Sequence, residues 1–109
     1  MTDIEIAWAA GLMEGEGCFY TFMGNGGRSG PYIGINVTST DRDVLEKLKG
    51  ICGGNILSKK TASNYKPAWQ WQLYSKKAVP ILSAIRPYLG ERRGKKVDDL
   101  LRIGRQTLV

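Results

Sequence analysis

Trp8-Ala9-Ala10-Gly11-Leu12-Met13-Glu14-Gly15-Glu16-Gly17 is the stretch on which the reading of this chain turns. With Ala7 it carries a small residue at every fourth position: Ala7, Gly11 and Gly15. Positions i and i+4 share one helix face, so the stripe offers a nearly flat backbone surface that a second helix can approach closely. Glycine inside a helix costs about 1 kcal/mol relative to alanine, which asks for a compensating contact. The stretch ends in Glu14 and Glu16, carboxylates set at the negative end of the helix dipole. A bound cation turns that unfavourable placement into a site. Upstream, Thr2-Asp3-Ile4-Glu5 has the form of a capping box and predicts a helix from about residue 3 to 14, with Ile4, Trp8 and Leu12 as its apolar ridge.

Outward from this helix, 109 residues make one domain, residues 1–109, and the apolar fraction of 42% is that of a globular core. The chain has no histidine, which excludes His-ligated zinc sites, Ser-His-Asp triads and imidazole bases. Chemistry must then come from carboxylates, Lys, Arg, Tyr, hydroxyls or an oxygen-ligated metal. The net charge of +6 points to a polyanionic partner. No apolar run has the length of a bilayer span and no signal segment is apparent, so a soluble chain without a membrane partner is expected. Cys18 and Cys52 sit in apolar patterns and read as buried free thiols, hence an intracellular, reducing compartment.

After Gly17 the period changes to two. Residues 18–23 predict a strand, 24–30 a glycine-rich turn, and 32–38 a second strand with Ile33, Ile35 and Val37 on one face. Thr40 is placed to cap a second helix running through Cys52, which Gly53-Gly54 stops. Strands follow at about 55–60 and 68–74, joined by the polar turn 61–67. Ser75 can cap a third helix to about Arg86, and a last one occupies roughly 92–106. The fold class is α+β, written αββαββα, with the hairpins forming one four-stranded antiparallel sheet covered by helices on one side. Its other face would carry Tyr20, Phe22, Tyr32, Asn36, Thr38, Lys59, Gln70 and Gln72, with no carboxylate among them. A two-stranded ribbon fits the DNA major groove, where Asn and Gln pair with adenine.

Ala9-Ala10-Gly11-Leu12-Met13-Glu14-Gly15-Glu16-Gly17 resembles the signature nonapeptide of the LAGLIDADG homing endonucleases. Three further landmarks occur in the family's order: Asn36 through Leu45, Gly53-Gly54-Asn55-Ile56, and Arg86-Pro87-Tyr88-Leu89 followed by basic residues. The resemblance implies a site-specific endonuclease that cuts both strands of a long, near-palindromic DNA site. With one motif per chain it implies a homodimer packed through Ala7, Gly11 and Gly15, which brings two Glu16 carboxylates together. It implies Mg²⁺ or another divalent cation held by Glu16 and the Gly15 carbonyl, with Glu14 structural. Arg92 falls at the place of a catalytic lysine, with Arg93 and Lys95 as rivals. Ser39 falls near a water-positioning residue, a role for which Asn36, Thr38 and Arg42 are alternatives. Lys59, Lys60, Lys66, Arg28, Lys95 and Lys96 would contact phosphates. Lys76, Lys77, Arg102 and Arg105 read as solvated surface. Two other functions fit the same fold: an intron RNA-binding splicing cofactor, and a DNA-binding protein that does not cut.

Overall fold

The computed structural model describes residues 1–59 and 66–107. Helix α1 spans Asp3–Glu16 and opens on the expected capping box: Glu5 N donates to Thr2 Oγ1 at 3.1 Å and Thr2 N to Glu5 Oε1 at 2.8 Å. It runs two residues past the expected end, to Glu16, where Gly17 turns the chain directly into β1, Gly17–Gly24. The turn is tight. A Cβ on Gly17 would lie 2.5 Å from the Met13 carbonyl oxygen, so no other residue fits there unchanged. Strand β2, Ser29–Ser39, completes the first hairpin. Helix α2, Arg42–Cys52, leads through Gly53-Gly54 to β3, Asn55–Lys59, and β4, Ala68–Tyr74. Lys60 and residues 61–65 of the expected turn 61–67 lie outside the described residues. Helices α3, Ala78–Ile85, and α4, Glu91–Thr107, close the chain.

The order is therefore αββαββαα: the two expected α-β-β units, closed by the two helices expected after β4, which the shorthand αββαββα wrote as one closing segment. The expected third helix is interrupted at both ends, by 3₁₀ turns at Ser75–Lys77 and Arg86–Tyr88. Ser75 makes no capping bond and has φ +54°; Pro80 is accommodated in the first turn of α3, where its missing N–H has no helical partner to satisfy. Thr40 is not the cap of α2 either. Asp41 stands at the N-cap, and Ser39 Oγ accepts its N–H at 3.0 Å, a side-chain turn that starts the helix one residue later.

The strands form one antiparallel sheet in the order β1-β2-β4-β3. Phe19, Ile33, Ile35, Val37, Trp71 and Leu73 make its buried face, packed against Met13, Leu45, Leu48, Leu82, Ile85, Val97 and Leu100 of the four helices. Trp71 is fully buried at the centre of β4, and its Nε1 donates to the Gly53 carbonyl at 2.7 Å, tying α2's end to the sheet. One sequence expectation fails in α1. The buried residues are Ala9, Ala10 and Met13; Trp8 and Leu12 lie half-buried at the margin, and Ile4 is 83% exposed. Apolar residues recur on several sides of the helix between its carboxylates, so its period does not single out the face that packs.

Truncating Trp71 removes a large buried ring and orphans the Gly53 carbonyl. Trp71→Ala is expected to lower unfolding free energy by about 3–5 kcal/mol, read as a fall in the urea midpoint at unchanged slope.

Candidate functional site

Two clefts flank the junction where α1 becomes β1. The first, about 480 Å³, is lined by Leu12, Glu16, Val37, Thr38, Ser39, Thr40, Asp41, Val44 and Ala68. Glu16 and Ser39, 23 positions apart in sequence, thus meet in one cleft because the end of β2 returns alongside the end of α1. Asp41 joins them, a carboxylate that the sequence reading passed over; its position at the strand-to-helix junction was the available signal. The second cleft, about 410 Å³, is lined by Gly17, Cys18, Phe19, Arg92, Arg93, Lys95, Lys96 and Asp99. Arg92 therefore stands on the other flank of Gly17, not in the cleft of Glu16.

The basic residues near this junction have separable roles. Arg93 Nη1 donates to the Gly17 carbonyl at 2.6 Å, a charge-assisted bond that fixes the helix-to-strand turn. Arg92 and Lys95 are exposed on α4 beside it. Arg42 is directed elsewhere: its Nε donates to Glu46 at 3.2 Å and its guanidinium lies 5.9 Å from the Trp69 ring centre. Glu14, half-buried, accepts the Gly90 N–H at 3.2 Å and so docks the start of α4 onto α1. Glu16 is exposed, with no basic residue in its turn of the helix.

On the same helix Ala7, Gly11 and Gly15 are all exposed, continuing the exposed Ile4. A Cβ built on Gly11 or Gly15 would meet nothing within 4 Å, so nothing among the described residues demands glycine at either place. Among the described residues no three acidic, Cys or His side chains gather as a metal site. One chain presents Glu16 alone at the helix end, with Asp41 and three hydroxyl residues, Thr38, Ser39 and Thr40, across its cleft. That oxygen set suits Mg²⁺ only when further ligands come from substrate, water or a second chain.

The outer sheet face holds every described residue assigned to it from the sequence. Tyr20, Phe22, Tyr32, Asn36, Thr38, Lys59, Gln70 and Gln72 occupy alternating positions opposite the core. Asn55, Leu57 and Tyr74 fall in line with them, as does Cys18, whose thiol is exposed rather than buried. Cys52 matches the expectation better; burial pushes its thiol up to about 11. The aromatic rings cluster, with Phe22 centred 6.1 Å from Tyr20, 5.6 Å from Tyr32 and 5.4 Å from Tyr74. Gly34 makes room for them: a Cβ there would lie 2.6 Å from Tyr20 Cζ. Burial, then hydrogen bonding toward Tyr74, pushes the Tyr20 phenol up to about 12, against the opposing pull of Asn36. It remains a neutral donor at any pH where duplex DNA is intact.

Arg28 lies beyond the far end of β1 from Glu16, roughly 23 Å along the strand. Lys59 and Lys66 are exposed at the Ser39 end of the sheet, and Lys96 beside Lys95 on α4. Positive charge thus borders the face at both ends. Lys76, Lys77, Arg102 and Arg105 are exposed as expected.

No protein-family model and no curated protein matches this sequence. Solved structures do. The homing endonuclease I-CvuI, in complex with its target and Ca, superposes with a TM-score of 0.79 at 16% identity, over 97% of this chain and 69% of that one. The LAGLIDADG homing endonuclease I-LtrWI, bound to target DNA, gives 0.74 at 21% identity, over 97% of this chain and 37% of that one. I-CeuI, a group I intron-encoded homing endonuclease complexed with DNA, gives 0.72 at 16% identity, over 95% of this chain and 55% of that one. The fold is that of the LAGLIDADG homing endonucleases.

The bond to Gly17 gives Arg93 a structural task that Arg92 does not share. Arg93→Gln is expected to cost about 1.5–3 kcal/mol of stability, and Arg92→Gln less than about 0.5 kcal/mol, both read from urea unfolding curves.

Proposed function

We propose that this chain belongs to the LAGLIDADG homing endonucleases and cuts both strands of a long, near-palindromic DNA site as a homodimer, with a divalent cation. The observation that carries the reading is the placement of Glu16. It stands exposed at the end of α1, directly beyond a stripe of small residues that none of the described residues covers. Two α1 helices packed through Ala7, Gly11 and Gly15 about a twofold axis would set both Glu16 carboxylates beside that axis. Like charges there repel strongly unless a cation lies between them. Glu16 and the Gly15 carbonyl from each chain are the ligands this arrangement offers. A divalent cation such as Mg²⁺, if bound by these ligands, would supply Lewis-acid charge to a phosphate and lower the pKa of a bound water.

The chain's own residues account for the rest. The first cleft, with Thr38, Ser39 and Asp41, is the polar wall against which an attacking water is oriented. Arg92, always protonated, neutralises charge on the phosphate from the second cleft and carries no proton. The outer sheet face lies in the major groove, with Tyr20, Phe22, Tyr32, Asn36, Thr38, Gln70 and Gln72 toward base edges. Lys59, Lys60, Lys66, Arg28, Lys95 and Lys96 contact phosphates, so affinity falls steeply with salt. The net charge of +6 doubles on the dimer and supports the choice of a polyanion. That I-LtrWI contains this fold in 37% of its length leaves room there for a second such unit, which this chain would supply as a second copy.

Glu16→Gln keeps the size and removes the charge that holds the cation. It is expected to lower cleavage of a duplex selected from a randomised pool by at least about 100-fold while leaving its affinity within about threefold, measured with Mg²⁺ for cutting and Ca²⁺ for binding. Cleavage that survives the substitution contradicts the assignment. A wild-type protein that prefers structured RNA and nicks no duplex replaces it with the splicing-cofactor reading.

A further inference from the structure

The amides and hydroxyls of the outer face are joined in one hydrogen-bonded chain. Tyr74 OH donates to Gln72 Oε1, Gln72 Nε2 donates to Gln70 Oε1 at 2.8 Å, and Gln70 Nε2 donates to Thr38 Oγ1 at 3.2 Å. Gln70, Gln72 and Tyr74 are successive outward positions of β4, and Thr38 faces Gln70 from β2. Every link runs in the same sense, from Tyr74 to Thr38.

An amide carries two N–H donors and an oxygen with two lone pairs. The chain uses one of each on both glutamines, leaving each with one N–H and one lone pair for an outside partner. That pair matches the N7 acceptor and N6 donor of adenine in the major groove. The chain runs between two hydroxyls, Thr38 and Tyr74, the latter also receiving the Tyr20 phenol, and a hydroxyl donates or accepts, so Tyr74 can accept from Gln72 as well. The whole chain can therefore run the other way, from Thr38 to Tyr74, with three bonds kept and every amide turned by half a revolution. Turning one glutamine alone sets two oxygens or two NH₂ groups against each other and loses the bond between them. The two amides are thus constrained to turn together.

We propose that Thr38, Gln70, Gln72 and Tyr74 form a two-state reading element, in which Gln70 and Gln72 present donor and acceptor in one order or the other, always jointly. The proposal rests on the reading of this face as the DNA-binding surface. Its consequence is that base preferences at the two positions these glutamines read are coupled. A target that asks for the same order at both is accommodated by one state of the chain. A target that asks for opposite orders breaks the internal bond between Gln70 and Gln72, which lowers affinity roughly 2–10-fold beyond the sum of the single changes.

The test starts from a duplex selected by the wild-type protein from a randomised pool, with binding followed by fluorescence anisotropy in Ca²⁺. Gln70→Ala and Gln72→Ala identify the two base pairs as those whose preference disappears. All sixteen combinations at these pairs are then titrated with wild type, Thr38→Lys and Thr38→Val. Lysine donates and never accepts, so it turns the Gln70 oxygen toward position 38 and, through the shared bond, turns Gln72 as well. The expected result is a change of preferred base at the Gln72 position in Thr38→Lys, two links from the substitution. Thr38→Val, which imposes no sense, keeps the wild-type preference at that position. Wild-type affinities depart from independent contributions by the fold-change given above. Thermal melts by circular dichroism confirm that the variants, altered at an exposed position, are folded. Sixteen affinities that factor into independent terms, or a Thr38→Lys effect confined to the Gln70 position, overturn the coupling while leaving the DNA-facing sheet intact. If neither alanine variant changes preference at any base pair, the DNA-facing assignment of the sheet fails and the coupling fails with it.

Discussion

The face of α1 that carries Ile4, Ala7, Gly11 and Gly15 is apolar, shallow and open, and the proposed chemistry depends on what covers it. Apolar residues recur on several sides of α1, yet among the described residues only the Ala9, Ala10 and Met13 face is buried. Bulky residues on the open face would keep a second helix at the usual 8–10 Å separation. Glycine and alanine allow a closer approach. The same helix delivers Glu16 at its end, and Gly17 turns it at once into the sheet under the hold of Arg93. The open face, the acid and the sheet are consequently continuous: in the proposed dimer a contact at Gly11 would set the position of Glu16, and Gly17 joins that position to the strand that begins the outer face.

The outer face adds a second constraint. Its polar groups do not stand as independent side chains. Gly34 lets Tyr20 lie across β2, the aromatic rings brace one another around Phe22, and the amides of β4 bond in series to Thr38. Such bracing lowers the entropy that the face would lose on binding a partner, and it links neighbouring contacts energetically. Specificity on a face of this kind is a property of the network as much as of its members.

Much of this was legible in the sequence, for identifiable reasons. Strand β4 was bounded at residues 68–74 because Trp69, Trp71 and Leu73 alternate strictly with Gln70, Gln72 and Tyr74. Alternation also assigned the outer face correctly. Parity puts Cys18 there with Tyr20 and Phe22, against the burial that its apolar residue type suggests, and parity decides. The orientation of α1 was not readable, since Ile4, Trp8 and Leu12 are as apolar as the residues that pack. The start of α2 was missed by one position because Thr40 and Ser39 both offer a hydroxyl, and only the backbone path decides which one bonds Asp41. Glu16 stands out as a carboxylate at the wrong end of a helix dipole, and resemblance adds Ser39 and Arg92 to it. Their division between two clefts follows from the course of β2 and α4 past Gly17, which no local pattern encodes.

The central claim is that the small-residue stripe of α1 is a twofold contact. Light scattering coupled to size exclusion, at micromolar protein without DNA, tests it most directly. The account predicts a wild-type particle of twice the 12.1 kDa chain mass and a Gly11→Leu variant at the mass of one chain, folded and unable to cut. A wild-type protein that runs as a single chain, or a Gly11→Leu variant that remains a dimer, contradicts it.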